Sequence, residues 1–319
     1  MTRHPHEADS STAFLHNISS EKSYLHRYSN IIFILFVQEC EQFYPKPKYP
    51  IYITGGLKSL AREFPHMAIL GSGEETNKQW HCGGSLISKR FVLTAAHCLD
   101  SPKLGLVRWV RLGDLDLSTD TDDADPQDFS VYRRIYNPNY KPPSRYNDIA
   151  LLQLDRQVAL SAYVSPACLH VKKEVNTTSL TASGWGKKEY LGDFSNHLLK
   201  INLFHVDNID CRNYYPNVSR RLLSNGILEQ LQVCARGGIG RDTCQGDSGC
   251  PLQVKNKERS YTVNVNDLIG ITSFGKPCGL SSSPGVYTRV SHYVSWIESI
   301  IWPNETWDNY QQENLFHPI

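Results

Sequence analysis

The chain has 319 residues and a formal net charge of +1 at pH 7. That is long enough for one large core or two small ones, and the charge balance offers nothing that would draw nucleic acid or an anionic membrane. Nine cysteines, with no CxxC pair or Cys/His knuckle among them, speak against zinc and for disulfides in an oxidising compartment; the odd number leaves at least one without an internal partner.

Residues 1–30 are polar, histidine-rich and without periodicity, and read as disordered. The apolar run 31–37 is far too short to span a membrane. As a signal-peptide core it lies far from Met1 with no small-residue cleavage site behind it, which leaves a short light-chain segment or a misplaced start. The proline- and lysine-rich stretch 40–50 reads as an exposed linker open to proteolysis. Short apolar runs then recur at 85–87, 91–94, 107–112, 149–154, 263–274 and 285–290, punctuated by glycine and proline, a spacing that reads as antiparallel barrels. Between them Asp114, Asp116, Asp120, Asp122, Asp123, Asp125 and Asp128 crowd one loop. A calcium site and a solvated charged loop are the two readings; the spacing is not that of an EF-hand. Residues 292–302 carry Val294, Ile297, Ile300 and Ile301 at helical spacing and stop before Pro303, which predicts a C-terminal helix followed by a tail. Sequons at Asn17, Asn176, Asn217 and Asn304 fit a secreted glycoprotein.

The chemistry concentrates in Asp242-Thr243-Cys244-Gln245-Gly246-Asp247-Ser248-Gly249-Cys250-Pro251. A serine hydroxyl is a poor nucleophile unless a base takes its proton and donors hold the oxyanion that forms on the substrate. Gly246 and Gly249 let the backbone turn tightly enough for amide N–H groups beside Ser248 to converge. The base and its orienting carboxylate are available as His97, in Thr94-Ala95-Ala96-His97-Cys98, and Asp148, in Tyr146-Asn147-Asp148-Ile149-Ala150-Leu151-Leu152. Taken singly, each has a bland reading: a turn serine, a structural histidine, a turn aspartate. The three contexts together argue against it.

In this order and these contexts, the blocks make residues 51–302 resemble a trypsin-like serine protease of the chymotrypsin family. The resemblance implies an all-β fold of two antiparallel six-stranded β-barrels with a C-terminal α-helix. It divides the chain into an N-terminal propeptide or light-chain segment at 1–52, a protease domain at 53–302 and a tail at 303–319. It assigns His97, Asp148 and Ser248 to catalysis and the N–H groups of Gly246 and Ser248 to the oxyanion hole. It also places Asp242 on the floor of an S1 pocket that selects Arg or Lys, with Ser273, Gly275 and Gly285 around it. The pairings it implies are Cys82–Cys98, Cys211–Cys234, Cys244–Cys278 and a tether Cys40–Cys168, with Cys250 left over.

Ile53-Thr54-Gly55-Gly56 resembles the start of a mature protease of this family, in which cleavage frees an isoleucine amine to pair with the aspartate before the serine, here Asp247. The preceding residue is Tyr52, as in snake-like arthropod proteases cut after a hydrophobic residue, so an upstream activating protease of chymotrypsin-like preference is expected. The blocks Glu63-Phe64-Pro65-His66-Met67-Ala68 and Asn137-Pro138-Asn139-Tyr140-Lys141-Pro142-Pro143 resemble arthropod clip-domain proteases, yet upstream of the protease domain only Cys40 is available, against the six cysteines a clip needs. The expected partners are protein substrates that are themselves zymogens and a serpin-type inhibitor. No cofactor is implied. Export follows from the cysteines and the family rather than from a visible signal. Cys250 stands where the family has glycine, which allows a tolerated buried thiol, crowding behind Ser248, or a covalent partner. A digestive trypsin and a catalytically impaired homologue acting as a scaffold are the alternative functions.

Overall fold

The computed structural model describes residues 57–177, 179–187, 192–237, 246–256, 265–276 and 283–303. After a two-residue strand, β1 (Leu57–Lys58), come β2 (Met67–Ser72), β3 (Gln79–Ser88) and β4 (Phe91–Thr94), a small hairpin of β5 (Asp100–Ser101) and β6 (Gly105–Leu106), then β7 (Trp109–Leu112), β8 (Gln127–Tyr136) and β9 (Ala150–Leu154). Six of these close into a barrel in the order β2-β3-β4-β9-β8-β7. The second half holds β10 (Cys168–Leu169), β11 (Ser179–Gly184), β12 (Leu199–Val206), β13 (Gln232–Arg236), β14 (Pro251–Lys255), β15 (Asn266–Phe274) and β16 (Gly285–Arg289). Here the order β12-β11-β14-β15-β16-β13 is closed by pairing of β12 with β13, giving a second six-stranded ring. The short strands β1 and β10 attach to β12 and β15. The architecture implied by the resemblance is therefore present, and closure leaves neither barrel with a free long edge.

The strands form where the pattern asks for them. In β7, Val110 and Leu112 are buried while Trp109 and Arg111 face outward, the period-2 alternation of a strand with one face on a core. Across the ladder Arg111 faces Asp128 and bridges it at 2.7 Å. Cations hold the acidic loop in the same way: Lys78 lies 2.7 Å from Asp128, Arg111 3.2 Å from Asp114, and Arg62 pairs with Asp123. Among the described residues no group of three or more His, Cys, Asp or Glu is placed to hold a metal ion.

Two α-helices lie among the described residues. The helix read at 292–302 is observed as a 3₁₀ turn (Val290–His292) followed by α2 (Val294–Ile301). Val290, Tyr293 and Ile297 join the same buried cluster as the N-terminal barrel's Leu86, Val92, Leu151 and Leu152, so the C-terminal helix fastens the two halves together. The other helix, α1 (Asn208–Tyr214), was not foreseen. It has seven residues and no side-chain cap, too short for a periodic signal, and it is anchored by the Cys211–Cys234 disulfide to β13. Among the described residues no helix is long and apolar enough to cross a membrane. The apolar run 31–37, the linker and the tail beyond Pro303 lie outside them.

Helix α2 carries one costly group. Glu298 is 7% exposed, and neither carboxylate oxygen has a hydrogen-bond partner; burial pushes its carboxyl up to about 8. The native state thus holds this proton more tightly than the unfolded chain, whose carboxyl titrates at its ordinary acid value. The native advantage is full below that value and declines as pH rises towards about 8. Glu298→Gln is expected to match the parent in thermal melts at pH 4 and to exceed it above pH 8 by roughly 1–3 kcal/mol. Melting curves across that range check this; equal stability at alkaline pH contradicts it.

Candidate active site

His97 lies in a 3₁₀ turn (Ala96–Cys98) that follows β4, and Cys98 is bridged to Cys82 of β3, so the loop is pinned beside the strand it leaves. Asp148 sits just before β9 with its side chain fully buried. A buried carboxylate needs donors, and Asp148 has them on every side. Its Oδ1 accepts the His97 backbone N–H at 2.9 Å, and its Oδ2 accepts His97 Nδ1 at 2.8 Å and the Ser273 hydroxyl. Thr288 Oγ1 donates to its backbone carbonyl at 2.9 Å. Burial pushes the Asp148 carboxyl up, but the His97 charge and the hydrogen bonds from His97 and Ser273 outweigh it and hold the group below the usual carboxylate range. An ionised Asp148 only accepts, so the His97 nitrogen that faces it, Nδ1, carries a proton, and in the neutral form of the ring Nε2 is the nitrogen with a free lone pair.

Ser248 is presented by a turn clamped between the barrels. Its carbonyl accepts Gly83 N–H at 2.8 Å, Gly249 N–H donates to Thr272 O at 2.9 Å, and Cys250 N–H donates to Asp247 O at 2.9 Å. Gly246 and Gly249 take φ of 98° and 80°, the left-handed region that favours glycine. At Gly249 there is no room either: a Cβ would lie 2.3 Å from both Gly83 O and Thr94 Oγ1. The Asp247 carboxylate accepts Gly186 N–H at 2.9 Å and lies in a cradle made by absent side chains, since a Cβ on Gly184 or Gly186 would come within 2.3 or 2.5 Å of it.

Cys250 is a free thiol and 1% exposed. It packs with Phe64, Met67, Ile69, Trp185 and Leu198. Space for its Sγ exists because Gly83 and Gly184 have no side chains; a Cβ there would stand 2.1 and 2.9 Å from the sulfur. Burial, and after it the charge of Asp247, raises this thiol well above its ordinary value, so it stays protonated and unreactive.

Gly275 and Gly285, read from the sequence as pocket walls, face one another: a Cβ on Gly275 would lie 3.8 Å from Gly285 Cα. The Ser273 hydroxyl donates to Asp148, a contact the sequence did not signal. Asp242, Cys244, Cys278, Cys40, Tyr52, Ile53, Asn17 and Asn304 lie outside the described residues. Cys168 is disulfide-bonded, and the sequons Asn176 and Asn217 are exposed. A cavity of about 260 Å³ that sequence reasoning missed adjoins Gly246, lined by Trp80, His81, Phe194 and Asn196 among others.

Residues 53–297 match the family model described as Trypsin. The chain is 41% identical over 265 residues to Serine protease snk of Drosophila melanogaster, covering 80% of this chain and 58% of that protein. It is 39% identical over 268 residues to CLIP domain-containing serine protease B4 of Anopheles gambiae, covering 78% and 70%. Among solved structures it is similar to neuropsin, a serine protease expressed in the limbic system of mouse brain, with a TM-score of 0.62 and 32% identity over 77% of this chain and 98% of that one. The chain belongs to the trypsin family of serine proteases, and its relatives there include arthropod clip-domain proteases. It spans 58% of the length of the snk relative.

The packing around Cys250 makes a prediction. In the native chain Cys250 is expected to escape alkylation by iodoacetamide at neutral pH and to react once the chain is unfolded, as peptide mass spectrometry would show; rapid labelling of the folded chain contradicts the buried site.

Proposed function

We propose that the chain is a serine endopeptidase that cuts after Arg or Lys, made as a zymogen and acting by limited proteolysis on other extracellular zymogens. The observation that carries the proposal is the double hold of Asp148 on His97, through the backbone N–H at 2.9 Å and the ring at 2.8 Å. In that arrangement Ser248 Oγ attacks the scissile carbonyl carbon while His97 Nε2 takes its proton. The proton then passes to the leaving amine, and Asp148 stabilises the imidazolium meanwhile. The N–H groups of Gly246 and Ser248 receive the oxyanion; one such donor is worth roughly 3 kcal/mol. Water repeats the sequence on the acyl-enzyme and frees Ser248.

The Arg or Lys preference is assigned to Asp242 on the strength of the family resemblance: its carboxylate would be neutralised by such a side chain, and Gly275 and Gly285 carry no side chains that would obstruct a long one. Activation is cleavage after Tyr52 by an upstream protease, freeing the Ile53 amine to meet Asp247 in its glycine cradle, with the protease domain then running from 53 to 302. The disulfides fit an extracellular setting. The cascade role draws on the relatives, among them Melanization protease 1 of Drosophila melanogaster, 38% identical over 269 residues. A serpin-type inhibitor would be the natural brake on such an enzyme.

The test is to replace the linker before Ile53 with the site of a known protease, cleave, confirm Ile53 as the new end, and compare chromogenic peptides ending in Arg and Phe. Turnover of the Arg peptide is expected, falling at least about 10⁴-fold in Ser248→Ala. Asp242→Ser is expected to lose the Arg preference by about 10³-fold or more while retaining the labelling of Ser248 by a fluorophosphonate. No turnover by a correctly cut and folded chain would overturn the proposal.

A further inference from the structure

Arg145 stands three residues before Asp148, in the loop that leads into β9. Its backbone is gripped by the other barrel's connecting segment: its N–H donates to Leu222 O at 2.9 Å, and its carbonyl accepts Gln232 Nε2 at 3.3 Å. The next residue is held as firmly, since Tyr146 OH donates to Gly226 O at 2.6 Å and accepts Asn225 N–H at 2.9 Å. This backbone delivers the guanidinium to the triad carboxylate. Arg145 Nη1 lies 3.7 Å from Asp148 Oδ2, within ion-pair range but too far for a hydrogen bond. It is buried and has no hydrogen-bond partner. A charged donor in that condition is costly unless its charge acts on something nearby.

We propose that Arg145 is a positioning residue of the triad: its permanent charge shares Asp148 Oδ2 with the His97 ring and sets the pH range in which the site holds its working form. The proposal rests on the triad reading given above. Oδ2 meets His97 Nδ1, the Ser273 hydroxyl and Arg145 Nη1 together. The imidazolium that forms when His97 takes a proton is attracted by Asp148 and opposed by Arg145, a like charge behind the same carboxylate. Arg145 therefore favours the neutral imidazole and extends the active range toward acid. Among the described residues, two phenols and one imidazole also feel this pair. Burial, and then the Asp148 charge, raises the phenols of Tyr140 and Tyr293. Burial, and then the His97 charge, lowers His81, whose Nε2 is 2.9 Å from Ser72 Oγ.

Two variants of the chain cleaved before Ile53 test this: Arg145→Gln, which removes the charge, and Arg145→Lys, which keeps it. Two readouts are needed. One is the acid limb of kcat/KM against pH for an Arg peptide. The other is the pH transition of the downfield NMR signal of the proton on His97 Nδ1, which requires no turnover. In Arg145→Gln both midpoints are expected to move up by about half a pH unit or more, with the plateau rate within about threefold of the parent, while Arg145→Lys stays with the parent. A merely structural Arg145 would lower the plateau or the melting temperature and leave the midpoints in place. Midpoints in Arg145→Gln that coincide with the parent's, or an equal shift in Arg145→Lys, overturn the proposal. A parent that hydrolyses nothing sinks the triad reading, and the NMR transition still decides the role of Arg145.

Discussion

The arrangement depends on one buried carboxylate that both barrels must satisfy. Asp148 belongs by sequence to the N-terminal barrel, as does His97, yet Ser273 and Thr288, which bind its side chain and its carbonyl, come from β15 and β16 of the other. Stripping water from a carboxylate costs several kcal/mol unless donors replace it. Docking of the barrels supplies those donors, so the low Asp148 value, the Nδ1 tautomer of His97 and the seam between the barrels stand or fall together. The C-terminal helix reinforces the same seam by burying Ile297 in the N-terminal barrel's core.

The Ser248 turn follows the same logic from the opposite side. It emerges from the C-terminal barrel, yet its carbonyl is held by Gly83 of β3 and its approach to Thr94 of β4 is so close that only glycine fits at 249. The Ser248 turn is thus positioned by backbone contacts that form only when the halves meet. Cys250 lies directly beneath. A side chain at this position, where the resemblance leads one to expect glycine, would crowd a generic strand, but here it fills the volume that Gly83 and Gly184 leave open and joins a small core around Trp185. Of the three readings open from the sequence, the packing favours the tolerated buried thiol.

What could be read in advance and what could not divides along the range of the forces involved. The strands were legible because alternation is local: Val110 and Leu112 point in, Trp109 and Arg111 out. The family was legible because His97, Asp148 and Ser248 each lie in a distinctive block and follow one another in a distinctive order. Helix α1 was not, being held by a disulfide rather than by its own periodicity. Nor were the turning of Ser273 toward Asp148, the closeness of Arg145 to the same oxygen, or the space around Cys250, because each depends on how closely distant segments approach. The acidic loop left two readings open in one dimension, a solvated charged loop and a calcium site. In three, Arg111, Lys78 and Arg62 come from other segments to pair with its aspartates.

The most direct test of the central claim is the Asp148→Asn variant of the chain cleaved before Ile53, assayed on an Arg peptide at neutral pH beside a thermal melt. The exchange preserves shape but removes the charge and can present the wrong hydrogen-bonding pattern to His97. A fall in kcat of about 10⁴-fold, the loss seen for the same exchange in the reference protease of this family, with the fold retained, is the predicted result. Turnover close to that of the parent in a folded Asp148→Asn chain would show that the carboxylate shared by the two barrels does not govern the chemistry.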